Sequence, residues 1–224
     1  MTRQRALVLG GSGTVGSEVV RGLVAAGLAT VFTYRESESK AFALSGDTGA
    51  VARRVELRDA RAIGGLDDGE GFDVLVHCAA TLSDDADACY EVNARSALLA
   101  CRTLAPAMTR RGGGHVVLTG ALAPGQSLPL PAPFAASQAM LGGLAMALGK
   151  ELGPSGIRVN LVALGLLDSG LSRGIAPKHF EDYLRHSALR RLGTAAEAAK
   201  PILWLALRNT YMSGKVLAAN GGIG

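Results

Sequence analysis

Apolar residues along this chain fall into two alternating patterns. Short runs such as "RALVLG" (5–10) end in glycine turns, and longer stretches such as "GSEVVRGLVAAG" (16–27) carry apolar positions at three- and four-residue intervals before a closing glycine. The first pattern predicts further strands over 29–35, 50–57, 72–80, 114–121, 157–165 and 215–222. The second predicts helices over 85–111, 134–152 and 194–207, a short helix and turn over 38–49, and a polar helical segment over 170–187. The run "FDVLVHCAA" (72–80) is apolar at successive positions, as a strand covered on both faces must be. Strands alternating with helices predict an α/β fold, a doubly wound parallel sheet of about seven strands with helices on both faces. No linker, repeat or low-complexity tract interrupts the alternation, so residues 1–224 are expected to form one domain.

Composition narrows the picture only slightly. Hydrophobic residues make up 48% of the chain but aromatic ones only 4%, so the core is expected to consist of Ala, Val and Leu. The formal net charge of +4 is mild, and the arginine pairs at 53–54, 110–111 and 190–191 are scattered without interleaved aromatics, which argues against a nucleic-acid partner. Cys78, Cys89 and Cys101 have neither metal-ligand nor C-x-x-C spacing, and are expected to be buried thiols. With no leader sequence and no apolar run of the roughly 18 residues a spanning helix needs, a cytoplasmic protein without membrane segments is expected.

The segment "LGGSGTVGSE" carries the first chemistry. Gly11-Ser12-Gly13-Thr14-Val15-Gly16 satisfies G-x-G-x-x-G between a predicted strand and a predicted helix. Glycines there allow a tight turn and close approach of a pyrophosphate to backbone N–H groups at a helix N-terminus, the Rossmann-like arrangement for a dinucleotide. The second strand ends in Tyr34-Arg35-Glu36. Arg35 suits the 2′-phosphate of NADP(H) and can stack its plane on adenine, whereas Glu36 offers the acidic contact that a ribose without that phosphate would use.

On these residues the chain resembles the short-chain dehydrogenase/reductase family, closest to 3-oxoacyl-[acyl-carrier-protein] reductases and polyketide ketoreductases, over essentially its whole length. "LGGSGTVG" stands where the family has T-G-x-x-x-G-x-G, with Thr14 at the middle glycine. "VELRD" (55–59) resembles an adenine-contacting D-V-x-D, and "HCAA" (77–80) stands for N-N-A-G. "EVNARSALL" (91–99) matches the helix with the family's active-site asparagine, here Asn93, and "ELGPSGIRVNLVALGLLDS" (151–169) matches the strand and cofactor-capping loop, with Ser169 for a threonine. The resemblance implies cofactor contacts by Gly10, Ser12, Gly13, Thr14, Val15, Gly16, Tyr34, Arg35, Glu56, Leu57, Ala79, Ala80, Gly165, Leu167 and Ser169, with NADP(H) as the cofactor.

It also locates what is missing. The family's carbonyl-binding serine, proton-donating tyrosine and activating lysine fall on Ala121, Phe134 and Gln138, with the family's thirteen- and four-residue spacings intact. None of the three can donate a titratable proton or carry charge, so carbonyl reduction by this chain alone is not expected. Substitutes considered are Ser127, His77, Cys78, Asp168, Thr119, Tyr183 and His186, none of which forms a nucleophile–base–orienter pattern in sequence. Only twelve residues separate Ala80 from Asn93, fewer than the family usually has, which predicts a differently shaped cleft. Three functions follow: a non-catalytic or assembly subunit pairing with an active paralogue through residues 85–111 and 134–152, as homo- or hetero-oligomer and with an acyl carrier protein as a further partner; a non-redox dehydratase, isomerase or cyclase on a carrier-bound acyl substrate; or an unconventional NADPH-dependent oxidoreductase.

Overall fold

A computed structural model describes residues 4–121 and 130–223. Seven strands, β1 (Arg5–Leu9), β2 (Ala29–Tyr34), β3 (Val51–Arg54), β4 (Val74–His77), β5 (Gly114–Ala121), β6 (Ile157–Leu164) and β7 (Val216–Ala219), form one sheet in the order β3-β2-β1-β4-β5-β6-β7. Every pairing is parallel, so each connection must cross over, and the helices do this. α1 (Thr14–Ala25), α2 (Glu38–Thr48) and α8 (Ala195–Leu207) cover one face, where Ala6, Val8, Val74 and Val76 meet Val19, Leu23, Leu44 and Ile202. α3 (Ala60–Gly64), α5 (Ser96–Arg110) and α6 (Ala132–Leu152) cover the other, where Leu7, Leu9, Leu75 and Val116 meet Ile63, Leu104, Met108 and Leu141. Alternate residues of the central strands therefore feed two separate cores, which is why runs such as β1 and β4 are apolar at successive positions.

The sheet and its helices agree with the sequence reading, with local corrections. The strand expected over 50–57 stops at Arg54, because Glu56 and Asp59 turn the chain into α3, whose first turn is capped by the Asp59 carboxylate accepting from the Arg61 N–H at 2.8 Å. The helix expected over 85–111 is three consecutive pieces: α4 (Ala86–Cys89), a π-helical turn (Tyr90–Arg95) and α5. The segment over 170–187 divides into a 3₁₀ stretch (Gly170–Gly174) and α7 (Pro177–His186), with Pro177 at the helix start where its missing N–H costs nothing.

The expectation that no segment is long and apolar enough to cross a membrane is also corrected. Ala132–Ser155, which is α6 and the turn after it, is 24 residues long and contains an 18-residue window with a mean hydropathy of 1.2. Its inner face is core: Phe134, Leu141, Ala145 and Leu148 are buried. Its outer face carries Ala132, Ala136, Ala139, Met140, Gly143 and Ala147, all exposed, and the first charged side chain of the helix is Lys150. The helix is apolar all round because only one side is covered within this chain.

Candidate functional site

The strands' C-terminal ends open into two adjoining clefts. This is where an open parallel sheet binds ligands, outside β1 and β4, where the strand order reverses.

The first cleft, of about 240 Å³, lies over the ends of β1, β2 and β4. Gly10, with φ +74°, ends β1 in a left-handed turn, and a Cβ on it would lie 2.7 Å from the Ala79 Cα. The Gly13 N–H closes the turn on the Gly10 carbonyl at 3.0 Å, and a Cβ on Gly16 would lie 2.3 Å from that same carbonyl oxygen. The loop is thus pressed against β4 and against α1 with no room for side chains. Gly13 caps α1 without a side-chain acceptor, so the first N–H groups of the helix are left for an anion. Ser12 and Gly13 border this cleft together with Tyr34, Arg35, Glu56, Leu57, Ala79 and Ala80. Tyr34 and Leu57 are buried, while Arg35 and Glu36 form an exposed ion pair at 3.0 Å. A dinucleotide's adenosine and pyrophosphate fit this donor set: backbone N–H groups, an open guanidinium and a floor that rejects Cβ atoms.

The second cleft, of about 310 Å³, continues from Gly13, Thr14, Val15 and Gly16 across β5 to the loop after β6. Gly165, Leu167 and Ser169 border it from that loop, and Ala80 borders both clefts. Thr14, at the resemblance's middle glycine, is matched across the gap by Gly170: a Cβ there would lie 2.9 Å from the Thr14 hydroxyl. The remaining lining is largely apolar, with Leu82, Leu130, Leu166, Leu171 and Ile175. Sequence reading missed these five, which stand in segments read as loop or polar helix; five aliphatic residues there were the available signal.

Ala121, Phe134 and Gln138 come together on one wall of the second cleft. Phe134 and Gln138 lie one turn apart on α6 and both are buried. The Gln138 Oε1 accepts from the Ala121 N–H at 2.8 Å, which fixes the amide's orientation and leaves Nε2 buried without a partner among the described residues. Gly120 makes room for this, since a Cβ there would lie 3.0 Å from Oε1.

Asn93 stands behind that wall and borders neither cleft. It is fully buried; its Oδ1 accepts from the Thr81 N–H at 2.7 Å, while Nδ2 donates to the Thr81 carbonyl at 3.0 Å and to Ser137 Oγ at 2.9 Å. Ser137 in turn donates to the Phe134 carbonyl at 2.7 Å. The π-helical turn thereby ties the loop after β4 to the start of α6.

The other candidates separate cleanly. The buried Tyr183 donates its hydroxyl to the Asn220 carbonyl at 2.6 Å and props the Gly165 loop, away from both clefts. The exposed His186 bonds through Nδ1 to the Asp182 carbonyl, and Asp168 accepts from Ser169 at 2.8 Å. Thr119 borders the second cleft but donates to the His77 carbonyl. Cys78 borders both clefts, yet desolvation pushes its thiol up to about 12, so it is no thiolate at neutral pH. Cys101 is likewise pushed up to about 12 by burial. His77 is fully buried; Ser96 donates to the Val92 carbonyl, so the 2.7 Å contact between His77 Nε2 and Ser96 Oγ requires the proton on Nε2, and Nδ1 has no partner among the described residues. Ser127 lies outside the described residues.

Comparison with known proteins agrees with this geometry. A family model described as Enoyl-(Acyl carrier protein) reductase matches residues 11–224. The chain is 30% identical over 238 residues to the cyclic-di-GMP-binding biofilm dispersal mediator protein of Escherichia coli K12, covering all of this chain and 98% of that one. It is 30% identical over 134 residues to the 3-oxoacyl-[acyl-carrier-protein] reductase of Chlamydia muridarum, covering 59% and 54%. The crystal structure of BdcA in complex with NADPH superposes with a TM-score of 0.90 at 27% identity, covering 100% and 96%. A seven-stranded parallel sheet, a glycine turn opening onto α1 and a match from Gly11 to the C-terminal residue place the chain in the short-chain dehydrogenase/reductase family.

Proposed function

We propose that this chain binds NADP(H) across the two clefts but does not by itself reduce a carbonyl, and that it serves as a non-catalytic or assembly subunit paired with an active relative of ketoreductase type. The observation that carries this reading is the wall formed by Ala121, Phe134 and Gln138, where the one amide oxygen is already spent on the Ala121 N–H. NADP(H), when bound, supplies a hydride donor or acceptor. The chain's own residues then hold and shield: the N–H groups of Thr14, Val15 and Gly16 meet the pyrophosphate, Arg35 meets the 2′-phosphate, and Gly165, Leu167 and Ser169 close over the nicotinamide end. No side chain on that wall delivers a proton to a carbonyl oxygen, and general acid catalysis is worth about 10²–10⁴ in rate.

Pairing is supported by the outer face of α6, which presents Ala136, Ala139, Met140, Gly143 and Ala147 without charge, small enough for another helix to approach closely. The Arg102–Glu151 ion pair joins α5 to the end of α6 beside this face. The test is to purify the full chain and assay NADPH oxidation with 3-oxoacyl thioesters, alone and mixed with an active ketoreductase from the same cells. Retention of that partner on the tagged chain, with turnover only in the mixture, supports the reading; turnover by the chain alone overturns it.

A second reading is nucleotide sensing without turnover. It is favoured by one observation: a relative matched over 98% of its length is named for binding cyclic di-GMP. Calorimetry of the chain with cyclic di-GMP, with and without NADPH, tests it; heat of saturable binding supports it and a flat titration removes it.

A further inference from the structure

Arg54 is the last residue of β3 and the register partner of Tyr34 at the end of β2. One backbone bond continues the ladder, from the Val55 N–H to the Tyr34 carbonyl at 2.9 Å. The next rung comes from a side chain: Arg54 Nε donates to the Arg35 carbonyl at 3.1 Å. The Arg35 peptide, which would otherwise leave the sheet edge unheld, is thus pinned to the neighbouring strand. The terminal nitrogens of Arg54 take no bond among the described residues. Among the described residues the Arg35 guanidinium itself holds only Glu36, at 3.0 Å, with side chains 53% and 74% exposed. An ion pair that open is weak and is readily exchanged for a phosphate dianion. Ser37 borders the same cleft, and its hydroxyl makes no capping bond to α2.

We propose that Arg54 is a positioning residue that sets the preference of this cleft for a dinucleotide bearing a ribose 2′-phosphate. It fixes the Arg35 peptide so that the Arg35 guanidinium faces the phosphate rather than bulk water, and it brings a second positive charge to the same strand edge. The inference rests on the proposed binding of NADP(H). Guanidinium–phosphate contacts are charge-assisted and strong, whereas a nucleotide lacking the phosphate draws nothing from either arginine.

The experiment is calorimetry of the full chain with NADPH, NADH, 2′,5′-ADP and 5′-AMP, on the native protein and on Arg54→Ala, Arg54→Gln and Arg35→Ala. Arg54→Ala is expected to weaken NADPH and 2′,5′-ADP by about tenfold while leaving NADH and 5′-AMP within about twofold. Arg54→Gln, which keeps a donor for the Arg35 carbonyl without the charge, is expected to fall between native and Arg54→Ala, separating pinning from charge. Equal weakening of all four ligands, or no change in any, overturns the role of Arg54 while leaving nucleotide binding standing. No binding of any of the four to the native chain overturns the NADP(H) reading itself.

Discussion

The two clefts share a floor, yet they have been treated differently. Around the first, every feature that holds a nucleotide is kept under tight steric constraint: Gly10 against Ala79, Gly16 against the Gly10 carbonyl, an α1 N-terminus left uncapped. Around the second, the backbone frame is equally intact, but the three positions we propose once carried the chemistry hold a methyl, a phenyl ring and a locked amide. The difference teaches that fold and binding impose their demands through backbone geometry, while proton transfer depends on a few side-chain atoms that can be lost without disturbing the frame. The comparison breaks if chemistry can be restored to the second cleft without touching the first.

Restoring it should produce the largest effect. Ala121→Ser, Phe134→Tyr and Gln138→Lys together are expected to raise NADPH-dependent reduction of a 3-oxoacyl thioester by about 10²–10⁴ over the native chain. Each single change is expected to do little, because residues that act as a unit are not additive. The measurement is NADPH oxidation by the purified triple variant. A triple variant that folds and binds NADPH but stays inactive would place the defect in the apolar lining or in the short segment between Ala80 and Asn93 instead.

The converse change sharpens the other side. Gly16→Ala puts a Cβ 2.3 Å from the Gly10 carbonyl oxygen and so must push α1 away from the glycine turn. NADPH affinity by calorimetry is expected to fall by more than about a hundredfold, since misplaced N–H groups forfeit the pyrophosphate contacts. Gly46→Ala, on α2 and bordering neither cleft, is the control, because its Cβ meets nothing within 4 Å.

How much of this was legible in the sequence follows the same division. Strand and helix order could be read because the central apolar runs serve a core on both faces, and the glycine turn could be read because glycines at that spacing fit a strand–helix junction. Three features were hidden. α3 is five residues long and carries no periodicity to detect. Which small residues of α6 face outward was hidden, although the helix itself reads as a pairing element, because alanine and glycine read as neutral until burial shows which side is uncovered. Tyr183, placed near the chemistry by its helix, turns out to hold up a loop, since which way a helix faces is set by tertiary packing and not by its own spacing.

A third prediction tests the seam between the two clefts, at the end of β4. Burial holds the His77 imidazole down at about 4, against an ordinary 6.5, and its Nδ1 has no acceptor to welcome a proton. The folded value lies below the unfolded one, so the folded state binds the proton less readily. Stability is complete above pH 6.5 and falls as the pH drops toward 4, by about 3 kcal/mol in all. His115, lowered mainly by burial, adds in the same direction, so the comparison needs His77→Asn. Urea denaturation at pH 7.5 and 4.5 should show a smaller loss in that variant than in the native chain; an equal loss assigns the acid sensitivity elsewhere.

The smallest effect is the most informative about the missing chemistry. Gln138 now does one structural task, accepting from the Ala121 N–H, and carries one liability, its unpartnered Nε2. Gln138→Met removes both the acceptor and the stranded donor. The exposed cost is the Ala121 N–H without a partner, about 1–3 kcal/mol, and against it stands relief of a comparable burden at Nε2. The expected change in urea stability is therefore within about 1 kcal/mol, and binding of 2′,5′-ADP should change little, because the first cleft does not touch this side chain. Gln138→Glu should behave differently. It keeps an acceptor for Ala121 but buries a second carboxylate oxygen without a partner, so its carboxyl titrates well above the ordinary range and stability falls as the pH rises through neutrality. If the two variants instead lose equal stability at every pH, the amide is not sealed into the wall as its geometry requires, and the second cleft is open to water at Gln138.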